Sequence, residues 1–265
     1  MEALTRAEGL VRATRAIADA GLRATYVRSI LLELPIEELA AALDVICARA
    51  EQAEAAARET LVALVDALCD PACAEIVQLL REEAVGVPYL ALERIVRPRL
   101  STEPPRDVPD PEDEAVPDYG RGRPLTLGER KSLARRPTRE MMDRLLGDPH
   151  PDVIRQLLGN PKITEDDVLR IAARRPSRPD ILTEIARNTR WSHRPRVRVA
   201  LVLNPDTPFE LAAPILGLLM SHELKLVVTS PTVASPVRAL CLEHLERRPP
   251  GDFAEESDGQ GGVLQ

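Results

Sequence analysis

Two stretches decide the fold, and they read DPHPDVIRQLLGNPKITEDDVLRIAARRP (residues 148–176) and RPRVRVALVLNPDTPFELAAPIL (residues 194–216). In both, short apolar clusters at helical spacing alternate with breaks that contain proline. The prolines Pro149, Pro176, Pro205 and Pro231 follow one another at intervals of 27, 29 and 26 residues. A period of this length with two short helices in each interval predicts a repeat architecture.

The breaks between these helices have a chemical cause. An Asn tolerates the backbone conformation that ends a helix, and the proline after it cannot continue one. Thr164 is predicted to cap the next helix, with acidic residues at 165–167 in its first turn, and Thr207 before Pro208 is interpreted in the same way. Helices this short need their neighbours for stability, which favours an α-solenoid over the alternative of an irregular helical domain.

This region resembles the leucine-rich repeat variant family and, more loosely, the bacterial HEAT-like helical repeat proteins. The likeness lies in the pattern DP-x-P-x-V-x-x-x-L-x-x-NP-x-x-T-x-x-x-x-L-x-IA, which begins at Asp148, and the region that resembles the family, about 126–219, covers somewhat over a third of the chain. It implies alternating short helices that serve as a recognition scaffold. Proteins of that family can carry an iron–sulfur cluster ahead of the repeats, and Cys47, Cys69 and Cys73 precede them here, although their spacing is not a cluster motif.

The composition and the positions of helix-breaking residues predict that this chain of 265 residues is all-α and has four segments. Only 2% of its residues are aromatic, so the core must consist of Leu, Ile, Val and Ala, which suits packed helices. The segments are an N-terminal helical domain (1–97), an acidic, proline-rich linker (98–124), a repeat domain (125–247) and a disordered tail (248–265). Helices are predicted at 4–19, 24–34, 36–69, 71–84 and 88–96, and the third of these is either one helix or two.

No stretch approaches the roughly 18 apolar residues of a membrane helix, and the N-terminus does not read as a secretion signal. The sequence therefore predicts no membrane span and a cytoplasmic location. It carries no signal of oligomeric state.

Charge is distributed unevenly along the chain. Residues 121–200 hold 19 basic and 10 acidic side chains, a balance of +9, while residues 101–120 hold 1 and 7, a balance of −6. A basic band of this kind could meet an acidic protein, a nucleic acid backbone or an anionic membrane surface. It could also meet the acidic linker of the same chain.

The strongest candidate site surrounds NTRWSHRPRVRVA (residues 188–200), which holds the single Trp. Arginine suits bidentate contacts to carboxylate or phosphate, and Trp is a common anchor at protein interfaces. The predicted partner-binding residues are Arg170, Arg174, Arg190, Trp191, His193, Arg194, Arg196 and Arg198. In the alternative interpretation, Trp191 fills the space between two repeat units and the arginines are merely solvated.

Catalytic motifs are absent from the sequence. The histidines His150, His193, His222 and His244 are isolated, and no phosphate-binding loop, dinucleotide fingerprint or nucleophile elbow occurs. The cysteines Cys47, Cys69, Cys73 and Cys241 are expected to be buried thiols, with no metal or other cofactor.

These observations predict a non-catalytic adaptor whose helical repeats bind a protein partner with an acidic segment. The first alternative is a nucleic-acid-binding repeat protein that uses the basic band 121–200. A further alternative is a metal- or redox-linked regulator that uses Cys47, Cys69 and Cys73.

Overall fold

The computed structural model describes residues 2–98, 110–111 and 114–249, and over these ranges it contains helices and no strand. The all-α prediction is confirmed. The α-helices are α1 Glu2–Ala16, α2 Ala20–Glu33, α3 Ile36–Glu51, α4 Ala55–Leu68, α5 Ala74–Gly86, α6 Leu90–Val96, α7 Leu127–Arg135, α8 Arg139–Leu145, α9 Pro151–Leu158, α10 Glu165–Ala172, α11 Pro179–Arg187, α12 Thr189–Ser192, α13 Pro195–Leu203, α14 Phe209–Leu218, α15 Ser221–Thr229 and α16 Ser235–Arg247. In the part of the chain described, none of them is both long and apolar enough to cross a bilayer.

By their contacts the residues form two compact units, one of Met1–Arg97 with Ala213–Gln265 and one of Pro98–Ala212. This grouping differs from the segments predicted from the sequence, because it places α15 and α16 with the N-terminal helices. The predicted tail lies, from residue 250 onward, outside the described residues, as do positions 99–109 and 112–113 of the predicted linker.

In the first unit α3 lies at the centre and packs against α1, α4, α5 and α6. Its buried stripe includes Leu39, Leu43 and Ile46, at the helical spacing that the sequence shows. The predicted helix 36–69 is in fact two helices. The chain turns at Ala53, whose φ is 60°, and the amide of Glu54 donates to the carbonyl of Arg49.

Residues after 213 join the first unit through polar and close apolar contacts. Arg248 is buried and donates hydrogen bonds to the carbonyl oxygens of Ala50, Gly217 and Leu219. Gly217 also approaches α6, since a Cβ at this position would lie 2.4 Å from Cδ1 of Ile95. The spacing of the prolines does not predict these long-range contacts.

In the second unit helices two or three positions apart along the chain pack together, since α7 contacts α9, α9 contacts α11 and α10 contacts α13. The side chain of Asn160 donates to the carbonyls of Ala134 and Arg135 at 3.2 and 2.8 Å. These partners are 25 and 26 residues away, close to the period of the prolines. The solenoid stays a prediction that this packing favours.

The turns of the second unit form two rows. The first row contains the turns after α7, α9 and α11, and the second row contains the turns after α8, α10 and α13. Arg190 donates across the first row to the carbonyl of Asn160, and Arg175 donates across the second row to the carbonyl of Leu203. Because consecutive helices reverse direction at each turn, the two rows lie at opposite ends of these helices.

Most of the predicted helix starts are close to the observed ones. Thr164 caps α10 in a reciprocal arrangement with Asp167, as predicted. Thr207 is not a cap, because its hydroxyl donates to the carbonyl of Leu201 and α14 begins at Phe209. α2 begins at Ala20, four residues before the predicted start, because the side chain of Asp19 caps it.

Candidate functional site

Trp191 lies between the turns of the first row. Its side chain is only 3% exposed, and its indole N–H donates a 2.9 Å hydrogen bond to the carbonyl of Leu158. The guanidinium carbon of Arg190 stands 4.4 Å from the centre of the ring, while its nitrogens donate to the carbonyls of Asn160 and Ile163. In this structure the ring fills the space between successive turns and is not exposed to a partner.

Two further arginines of the predicted site pair with carboxylates across the repeats. Arg170 on α10 contacts Asp143 on α8 at 2.9 Å, and Arg196 on α13 contacts Asp166 on α10 at 3.1 Å. All four side chains are exposed. Their charges therefore partly neutralise one another at the surface, and such pairs contribute little to stability.

The remaining predicted residues do not gather in one place. Arg198 is buried and its Nε donates to the carbonyl of Ser192 at 2.7 Å, whereas Arg194 is exposed and His193 is half-buried. Arg174 lies in the second row of turns, at the other end of the helices from Trp191. The structure thus places Arg174 apart from the cluster with which the sequence analysis grouped it.

The second row of turns carries an open groove with a volume of about 550 Å³. It lies between the α8–α9 turn and the α10–α11 turn. We call it the arginine groove; its lining includes the arginines Arg174, Arg175 and Arg178 and the apolar residues Leu146, Ile171 and Ile181. Apolar walls with a few convergent polar groups are typical of binding sites.

Arg178 is the least exposed of the three arginines in the groove, and its side chain is 10% exposed. Its Nε and Nη2 donate to the two carboxylate oxygens of Asp180 at 3.1 and 2.8 Å, and its Nη1 donates to Glu114 at 2.5 Å. The hydrogen bond with Asp180, and then that with Glu114, raises the pKa of Arg178 although burial opposes the shift. The carboxylate of Asp180 thus orients the guanidinium, and the carboxylate of Glu114 accepts from Nη1 within the groove.

Arg174 and Arg175 are both exposed and stand beside this pair. Arg174 donates to the carbonyl of Gly147 at 3.2 Å, and Arg175 to the carbonyl of Leu203 at 2.7 Å. A guanidinium has five N–H donors, so the single bond to Gly147 leaves donor capacity at Arg174. Arg175 and Arg178 were absent from the predicted site, although the run RRPSR (residues 174–178) signals both.

The predicted acidic linker contributes to the second unit. The hydroxyl of Tyr119 donates to Asp148 at 2.5 Å, and Arg130 donates to the same carboxylate at 2.7 Å. All three side chains are buried. Further upstream Glu114 reaches the arginine groove, so the basic band does meet the acidic segment of its own chain at this point.

The described structure shows no metal-binding cluster that includes the cysteines. Cys47, Cys69, Cys73 and Cys241 are buried free thiols, and burial raises the pKa of Cys241 to about 12. Among the residues with described positions, no group of three or more His, Cys, Asp or Glu side chains could hold a metal ion. The arrangement gives the metal- or redox-linked alternative no geometric support.

Comparisons of this chain with protein-family models, with curated proteins and with solved structures find no match.

Proposed function

We propose that this protein is a non-catalytic binding protein that takes an acidic segment of a partner protein in the arginine groove. One observation carries the proposal: a carboxylate of the protein's own chain, that of Glu114, already lies in the groove against Arg178. The resemblance to helical repeat scaffolds agrees with a binding role but does not specify it.

The chemistry of the groove suits a carboxylate better than a neutral ligand. Arg174, Arg175 and Arg178 bring three guanidinium groups to a pocket with apolar walls. Charge-assisted hydrogen bonds from arginine to carboxylate are stronger than neutral ones, and the planar guanidinium can hold both oxygens. Leu146 and Ile171, which are buried, form part of the apolar floor on which the arginines stand.

The distribution of acids favours a peptide over a nucleic acid. Arg155 pairs with Glu184 at 2.6 Å and Arg139 pairs with Asp167 at 3.3 Å, so carboxylates lie among the cations of the basic band. A nucleic acid backbone binds best where lysines and arginines neutralise many phosphates in succession. A groove with three arginines beside apolar walls fits one or two carboxylates on a short segment.

The test is binding of a fluorescein-labelled poly-glutamate peptide, followed by fluorescence anisotropy at physiological ionic strength. The groove variant is Arg174→Glu/Arg175→Glu, which leaves the pair of Arg178 and Asp180 in place. Its matched control is Arg136→Glu/Arg194→Glu, which changes the net charge equally at two exposed positions of the first row. We expect the groove variant to bind at least about tenfold more weakly, a loss of about 1.4 kcal/mol, and the control to bind like wild type.

Equal loss in both variants would mean attraction by net charge alone and would contradict the proposal. Loss confined to the control would place the site in the first row, around Arg194. Tighter binding of duplex DNA than of the peptide, with a steep dependence on salt, would support the nucleic-acid alternative.

A further inference from the structure

Residues 114–117 (Glu-Ala-Val-Pro) place a carboxylate and a proline at two defined points of the second unit. Glu114 contacts Arg178, and Pro117 lies over Gly147, a residue that lines the groove. We propose that this segment is an internal ligand of the arginine groove, which a partner displaces by presenting a carboxylate three residues ahead of a proline. The proposal rests on the proposed function, because it identifies the sequence that the same groove recognises and the contact that regulates it.

The carboxylate position is defined by Arg178. Asp180 holds two donors of its guanidinium, so the remaining Nη1 points to Glu114 with its direction already set. If Glu114 leaves, Asp180 still fixes the orientation of the Arg178 guanidinium toward an incoming carboxylate. A preorganised donor of this kind lowers the entropic cost of binding.

The proline position is defined by the close approach of Pro117 to Gly147. A Cβ at Gly147 would stand 3.7 Å from Cγ of Pro117 and 3.3 Å from the carbonyl oxygen of Arg144. The ring of Pro117 therefore packs at van der Waals distance from the Gly147 position, against the α8–α9 turn. Proline suits such a position because its φ is restricted before binding and little freedom is lost.

The segment is buried at its downstream end and more exposed at Glu114. Tyr119 is buried against Asp148, and the carbonyl of Asp118 accepts a 2.8 Å hydrogen bond from Arg144. The side chain of Glu114, by contrast, is 34% exposed. Residues 114–117 can therefore leave the groove while Tyr119 stays anchored, and the short tether keeps Glu114 at a high effective concentration.

The size of the effect follows from the fraction of molecules in which the groove is free. If Glu114 occupies the groove in about nine molecules of ten, the apparent affinity for an added segment falls about tenfold. Removal of the charge of Glu114 should therefore raise the apparent affinity about tenfold, whereas removal of a neighbouring charge outside the groove should leave it unchanged.

The experiment measures binding of a fluorescein-labelled peptide with the chain's own sequence DPEDEAVPD (residues 110–118). It compares the full-length wild type with the variants Glu114→Gln and Asp118→Asn. The second variant makes the same change in net charge, and its amide oxygen can still accept the hydrogen bond from the amide of Gly120. We expect about tenfold tighter binding by Glu114→Gln than by wild type, wild-type binding by Asp118→Asn, and several-fold weaker binding of a peptide with alanine at the second proline.

Each other outcome has a separate meaning. Equal affinity of all three proteins would overturn the internal ligand and leave the proposed function standing. If the proteins bind poly-glutamate but not this peptide, the carboxylate–proline spacing is wrong, and the groove still takes acidic segments. If neither peptide binds to any of the three proteins, both proposals fall.

Discussion

Asn160 and Asn204 make corresponding hydrogen bonds, Asn160 in the first row of turns and Asn204 in the second. The side-chain amide of Asn204 donates to the carbonyls of Ala172 and Arg174 at 2.7 and 3.0 Å, and its oxygen accepts from the amide two residues later, as the oxygen of Asn160 does. Each asparagine thus follows one helix, and its side chain donates to free carbonyl groups at the end of a second helix that lies earlier in the chain. Because both are buried, the Asn-Pro signature couples neighbouring repeats as well as interrupting helices.

Asn204→Ala should destabilise the second unit by about 3 kcal/mol, because it leaves one buried and one partly buried carbonyl without their donor. Asn188 is the matched control. In the described part of the chain its side chain accepts a single hydrogen bond, from the amide of Arg190, so Asn188→Ala should cost about 1 kcal/mol, as for loss of a helix cap. Urea denaturation followed by circular dichroism measures both. Equal costs would contradict the coupling role of Asn204.

Trp191 should behave as a core residue. Trp191→Ala removes a buried ring together with the hydrogen bond to Leu158, and we expect a loss of about 3–5 kcal/mol in the free energy of unfolding. Trp191→Phe keeps part of the packing and should cost about half as much. Circular dichroism is the measurement, because both variants lack the tryptophan fluorophore. A loss below about 0.5 kcal/mol would show that the ring is exposed.

Ala53 is a site where a substitution should stabilise the protein. Its φ of 60° lies in the left-handed region, which costs an L-residue with a Cβ roughly 1 kcal/mol. Ala53→Gly should therefore raise the free energy of unfolding by about 0.5–1 kcal/mol. Ala48→Gly, inside α3, is the opposite control and should lower it by about 1 kcal/mol. A loss at both positions would contradict the left-handed turn.

The sequence analysis could predict the helices because their signals are local. Proline after Asn160, Thr164 with acids in the first turn, and apolar residues three and four apart all act within one or two turns of chain. The same local signals do not determine which partner an exposed arginine selects. Arg190 turns to the carbonyls of Asn160 and Ile163, 30 and 27 residues away, and this contact exists only after the repeats pack.

The arginine groove lay beyond prediction for a similar reason. The run RRPSR was visible, but its role depends on the orientation of Arg178 by Asp180 and on the position of Glu114, 64 residues earlier. The predicted site followed Trp191 because rare aromatic residues often anchor interfaces. In this protein the tryptophan fills the interior, and the groove formed elsewhere on the same unit.

His244 should make the first unit sensitive to acid. Its side chain is fully buried, its ring nitrogens have no hydrogen-bond partner within the described chain, and the nearest carboxylate, that of Glu51 at 3.7 Å, is already bound by Arg94. Burial, and then the positive charges of Arg248, Arg94 and Arg97, lower its pKa from 6.5 to about 3.

Between these two pKa values the unfolded chain binds a proton that the folded unit does not. Stability is therefore complete above pH 6.5 and falls as the pH drops toward 3, by at most about 1.4 kcal/mol per pH unit. His244→Leu should flatten this part of the stability profile, while the exposed His222→Leu should leave it as in wild type. Urea midpoints measured across this pH range test the prediction, and parallel profiles for all three proteins would contradict it.

The most direct test of the central claim is amide hydrogen exchange of the wild-type protein with and without a saturating acidic peptide. If the peptide binds in the arginine groove, we expect slower exchange at residues 146–148 and 171–178. We also expect faster exchange at residues 114–116, because Glu114 leaves Arg178. Protection confined to residues 189–196 would instead place binding at the Trp191 cluster. A peptide that binds without protecting the groove would contradict the account.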